Sequence, residues 1–271
     1  MSAERRHLPD SNRLSVLLAA VLLSYVLAQM MEWEKYAVLI QLFGVDYSFD
    51  FEPRSLAIWL AAGLTASGMD WLLRSHPQYD GRSTLPHWIL PALTAAILGI
   101  SLYTMPLGLS WWLGFALGGL LLFLVLTAEY IVLDSSDVRH PAASAGLMAL
   151  SFALFVILVA SLSYANVRLT VLVLAIFPAA SMVVLRAIYL ETGVWDSWWS
   201  LTSAFVLTQF AAAFHYWPLK PVQYGLALLG PLYALTNLTL NLREQVSAHR
   251  AGLSALGSVS IFWIAALFAG R

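Results

Sequence analysis

Nine separated apolar stretches, each near the length that crosses a bilayer, run through this 271-residue chain. A spanning helix needs about 20 mostly apolar residues. The stretches fall at 14–32, 54–74, 86–104, 108–133, 142–164, 168–190, 198–216, 220–241 and 253–270. Lipid offers the backbone no hydrogen bonds, so each crossing must satisfy its own as a helix. The pattern predicts an all-α, polytopic transmembrane helix bundle of nine spans. Eight spans plus an interfacial C-terminal helix is the alternative. The seventh stretch carries Thr202, Ser203, Thr208 and Gln209, and the ninth is short.

Composition narrows the class. The chain is 60% hydrophobic and 11% charged, whereas a soluble domain carries roughly a quarter charged residues. No polar stretch between the apolar runs is long enough for a separate soluble domain, so residues 1–271 read as a single integral membrane domain. The net charge of −1 gives no basic footprint for nucleic acid. The absence of cysteine excludes disulfides, thiolate metal sites and cysteine nucleophiles. The run from Leu14 follows Arg5, Arg6 and Arg13 as a signal peptide would, but no small-residue cleavage site follows it, so it reads as a retained first helix.

Breaks between stretches carry turn chemistry: Ser75-His76-Pro77, Met105-Pro106, His140-Pro141, Thr192-Gly193 and Trp217-Pro218. With the N-terminus inside, Arg5, Arg6, Arg13, Arg74, Arg82, Arg139, Arg186, Arg243 and Arg250 lie on the cytoplasmic side. Lys35, Arg54, Arg168, Lys220 and Arg271 lie outside. That excess predicts a plasma (inner) membrane protein with a cytoplasmic N-terminus and an external C-terminus. The one long loop, 33–53, mixes acidic and aromatic residues and reads as a segment on the outer interface. Trp111, Trp112, Trp195, Trp198 and Trp199 read as aromatic belts.

In this order the even-numbered helices all finish on the cytoplasmic side, each with polar residues near its end: Asp70 and Arg74, Glu129, Arg186, and then Asn237 and Asn241. His87 opens the third helix on that side. Glu129 and Arg186 sit about five residues inside their helix ends, or roughly 7 Å along the axis. A lone charge there is costly. Asp70 and Arg74 are four apart on one face and can pair. Glu129 has no basic residue within a turn, so its partner is expected to be Arg186. Together these residues outline a polar cluster open to the cytoplasm, or helix ties and side chains reaching for the interface.

Asp134, Asp137 and His140 are spaced as a metal site would be, but Asp134-Ser-Ser-Asp137 is equally a helix-ending loop, and no metal is predicted. His215 lacks a second histidine at matching depth for a haem, and no lysine lies inside a span for a retinal-type linkage. No cofactor is predicted. Gln209 is expected to face other helices and hydrogen-bond there.

The junction Gly68-Met-Asp-Trp-Leu-Leu-Arg-Ser-His-Pro77 through His87-Trp-Ile-Leu-Pro91 resembles part of an uncharacterised family of bacterial multi-pass membrane proteins, over residues 68–99. The resemblance implies that Asp70, Arg74, His76 and His87 belong to a recurring polar junction, and no activity comes with it. No catalytic motif is present. The expected role is a structural or accessory subunit of a membrane complex, or a binding protein for a lipid or small ligand. The alternatives are an enzyme acting on a lipid headgroup or phosphate, and a transporter. Expected partners are membrane lipid and other membrane subunits.

Overall fold

A computed structural model describes residues 8–30, 36–42, 45–51, 54–79, 81 and 83–269, with side chains described for all of these except 36–51 and 54–55. Among the described residues nine long helices form the body: α1 (Ser11–Met30), α2 (Arg54–Leu73), α3 (Ile89–Thr104), α4 (Leu109–Val132), α5 (His140–Tyr164), α6 (Leu169–Thr192), α7 (Ser197–Phe214), α8 (Pro221–Arg243) and α9 (Ala248–Ala269). The fold is a helical bundle, and eight of the helices are long and apolar enough to cross a membrane. The exception is α7, with 18 residues and the hydroxyls and amide already noted.

The segment between α1 and α2 departs from expectation. Strands β1 (Tyr36–Leu42) and β2 (Val45–Phe51) pair antiparallel, from Tyr36↔Phe51 to Leu42↔Val45. The reason is legible: Val45-Asp-Tyr-Ser-Phe-Asp-Phe51 alternates apolar and polar residues with period two, which fits a strand and not a helix.

Two buried cores meet at α3 and α4. One gathers α1 to α4 around Leu17, Val21, Met69, Leu72, Trp111 and Leu126. The larger joins α3 to α9 around Phe155, Ile176, Val183, Leu207 and Leu228. Tyr25 ties the smaller core together, its hydroxyl donating to the Ala95 carbonyl at 2.6 Å. Trp111 lies inside that core, stacked on Phe115 at 5.3 Å, so it is no belt residue; Trp112 and Trp198 stay exposed.

α9 lies antiparallel along α8 and is long and apolar enough to cross a membrane. Trp263 Nε1 donates to the Ala227 carbonyl at 3.1 Å, and Gln223 Nε2 to that of Ala266 at 3.2 Å. Between them Gly230 admits a close approach, since a Cβ there would stand 3.4 Å from the Val259 backbone. Pro178 and Pro231 sit inside α6 and α8, and both helices continue through them. Gln209 is exposed and only weakly bonded to the Phe205 carbonyl at 3.5 Å, correcting its expected inward direction. The buried stripe of α7 runs Ser203, Ala204, Leu207, Thr208, Ala211, and Gln209 falls off it.

Candidate functional site: a polar cavity above a buried His–Glu–Arg array

The helix order brings the ends of α2, α4 and α6 together with the starts of α3 and α5. Glu129 and Arg186 meet there. The helices end at Val132 and Thr192, so Glu129 sits about 4.5 Å and Arg186 about 9 Å inside their ends. Both side chains are buried, at 0% and 1% exposure, and Arg186 Nη2 contacts Glu129 Oε2. The same oxygen is met by His87 Nδ1 at 2.9 Å. His87 is delivered by the 3-10 turn Leu85–His87, which Pro86 starts with its fixed φ. The Arg186 guanidinium also lies over the Tyr189 ring at 5.4 Å, one turn on in α6. Tyr189 in turn meets the His87 ring edge-on at 6.0 Å.

Beside this array lies a cavity of about 330 Å³, lined by Gln78, Tyr79, Ser83, Thr84, His87, Val132, Leu133, His140, Tyr189, Leu190 and Gly193. His87 is therefore both the end of the buried array and part of the cavity wall. A second, larger cleft of about 460 Å³ shares His140 and Leu190 with it. That cleft is mostly apolar, lined by Pro141, Ala145, Met148, Phe152 and Tyr233 among others, with Ser144 and Glu191. A polar cavity and an apolar cleft thus adjoin at one end of the bundle.

Other sequence-selected residues stand around this centre in separate pairs. Arg74 Nε donates to Asp70 Oδ2 at 2.7 Å, and Thr84 donates to the other Asp70 oxygen at 2.5 Å. Trp88 Nε1 then donates to Thr84 Oγ1 at 3.0 Å, so Thr84 links the Asp70 pair to the cavity wall. The carboxylate beside Arg74 holds its guanidinium pKa above the ordinary value. Arg243 pairs with Asp196, the N-cap of α7. Asn237 and Asn241 lie half-buried on α8 and do not line the cavity.

Asp134 and Asp137 do not converge with His140 on a metal. Asp134 Oδ1 accepts from the Ser136 N–H at 2.9 Å and its hydroxyl at 2.6 Å. Asp137 accepts the Arg139 guanidinium at 3.0 and 2.8 Å and the Arg139 N–H at 2.8 Å. Among the described residues no three His, Asp or Glu side chains gather as metal ligands. Burial raises the Asp134 pKa, yet the Ser136 hydrogen bonds and the charge of His76 outweigh it and hold the carboxyl below its ordinary value.

Sequence reading missed Thr84, Tyr189, Gln78, Tyr79 and Ser83. Tyr189 carried a usable signal, being three residues from Arg186 on one helix face. The others sit in or near the turn between α2 and α3, where no periodicity predicts facing. His215 lines a cavity of about 290 Å³ at the opposite end, with Asn166, Trp217 and Tyr224 among others.

Comparison with known proteins adds a family and no activity. No curated protein and no solved structure matches the chain. Residues 33–269, most of its length, match the model of DUF5656, a family of proteins of unknown function, and the chain belongs to that family.

Proposed function

We propose that this protein is a lipid-binding component of a bacterial-type inner membrane, with its N-terminus cytoplasmic and its C-terminus outside. The observation that carries the reading is the adjoining pair of cavities at one end of the bundle. The smaller presents hydrogen-bonding side chains and the larger presents apolar ones, joined at His140 and Leu190. Ligand sites of this kind combine an apolar lining with a few placed polar groups. A lipid entering here would seat its headgroup against His87 and Thr84 and lay a chain along Phe152 and Met148. The orientation rests on the Lys and Arg excess near the ends of the even-numbered helices.

Two observations favour binding over transport. α6 and α8 run unbroken through their prolines, whereas transporter sites are commonly built from broken helices. Between the cavities at the two ends lies closely packed core, with Phe155, Ile176 and Leu207 fully buried. The enzyme reading draws support from one arrangement, a carboxylate holding a histidine at a cavity wall, which is how a general base is oriented. However, Arg186 already faces Glu129 inside the bundle, and Arg74 is held on Asp70 and does not line the cavity.

Native mass spectrometry of the gently solubilised protein tests the reading. The wild-type chain is expected to retain a lipid, and Ser83→Trp, which fills the polar cavity, is expected to release it. Identical lipid retention by both proteins would count against the site.

A further inference from the structure

We infer that the group received by the polar cavity is neutral and hydroxyl-rich, a sugar or polyol, with one hydroxyl donating to His87. This deepens the lipid-binding reading and rests on it. The argument starts from charge. Among the described residues, no lining side chain of the polar cavity carries a carboxylate or a guanidinium. The nearby ions are matched: Arg186 with Glu129, Arg74 with Asp70, Arg139 with Asp137. Among the described residues, Glu191 is the one acid that borders the adjoining cleft. Among the described residues a phosphate placed here would meet no unpaired guanidinium, and a buried charge without a partner is costly. A neutral group needs none.

The proton on His87 follows from its neighbours. A carboxylate oxygen that already faces a guanidinium can only accept, so the imidazole Nδ1 at 2.9 Å donates to it. In the tautomer that this bond selects, Nε2 is an acceptor and is the nitrogen left for the cavity. That nitrogen asks its occupant for a hydrogen-bond donor. Hydroxyls supply donors and also accept from Gln78, Ser83 and the two tyrosines. Tyr79 and Tyr189 add ring surface, which suits the C–H faces of a sugar. Hydrogen-bonded polar sites of this type reject analogues that lack the matching donor.

The test uses the full chain in nanodiscs, purified in an amine-oxide detergent because maltoside and glucoside detergents carry the proposed group themselves. Thermal unfolding is followed with three probes: glucosyl-diacylglycerol, phosphatidic acid and free glucose. Glucosyl-diacylglycerol is expected to stabilise the protein and phosphatidic acid is not. Stabilisation by free glucose as well identifies a soluble source, and stabilisation by the glycolipid alone identifies a lipid source; both support the inference. His87→Asn keeps an amide donor near Nδ1 for Glu129 and removes Nε2, and is expected to weaken glycolipid binding about 10-fold. Tyr79→Ala, in the turn after α2, is expected to weaken it too, and decides the matter should His87→Asn not fold. Preference for phosphatidic acid, or glycolipid binding unchanged in both variants, overturns the sugar assignment while leaving the lipid reading to its mass-spectrometric test. No stabilisation by any probe overturns the assignment as well.

Discussion

Arg186 on α6 and His87 before α3 converge on a single oxygen, Oε2 of Glu129, inside the bundle. The two residues lie far apart in the chain, and α4 brings the carboxylate between them. A buried carboxylate with two donors on one oxygen is held in place more than it is stabilised, because desolvation offsets much of the attraction. Its value is positional: it orients His87 at the cavity wall.

Breaking that pair from one side should cost more than removing both charges. Arg186→Met or Glu129→Leu alone is expected to lose about 3–5 kcal/mol, since each strands a buried polar partner. The combined Arg186→Met, Glu129→Leu protein should lose less than the two added together. Unfolding in mixed micelles provides the comparison, and simple additivity would mean the groups do not interact.

Close helix approach can be tested at two glycines. A Cβ on Gly225 would stand 3.0 Å from the Val156 carbonyl oxygen of α5, while one on Gly63 meets nothing within 4 Å. Gly225→Leu is expected to lose about 1–3 kcal/mol through overpacking. Gly63→Leu should leave the melting temperature nearly unchanged.

The turn after α4 carries an acid-sensitive contribution. Asp134 has a folded pKa below the ordinary 3.8, so its carboxylate stabilises the native state. By linkage that stability is complete above about pH 5 and drains away as pH falls through the folded value. Ser136→Ala removes the hydroxyl donor and should cost about 1 kcal/mol at neutral pH. Unfolding curves of the two proteins should converge in strong acid; a constant gap would point to another cause.

Ser136 is also exposed, at the end of the bundle that holds the polar cavity. A single cysteine there, in a chain with none of its own, should react with a membrane-impermeant maleimide only after the cytoplasmic face is opened. Labelling of intact cells would reverse the proposed orientation.

Apolar run length was enough to read the helices, because a backbone in lipid has few ways to satisfy itself. It also placed Asp70, Arg74, Glu129 and Arg186 at one end, since antiparallel alternation makes depth a property of sequence position. Facing is different. Near-uniform hydrophobicity leaves little periodic signal, so the inward burial of Trp111 and the outward position of Gln209 could not be read from their neighbours. The strand pair 36–42 and 45–51 is legible in the period-two alternation of the second strand, which its acidic and aromatic content obscures.

What residue order settled for this protein was its solvent, its helices and the level at which its charges lie, all consequences of one-dimensional hydropathy. Depth and sign already paired Glu129 with Arg186 and Asp70 with Arg74; that His87 rather than Asn237 completes the array depended on helix rotation and on a single turn around Pro86. Rotation is chosen by packing summed over many neighbours, and no local stretch of chain encodes that sum.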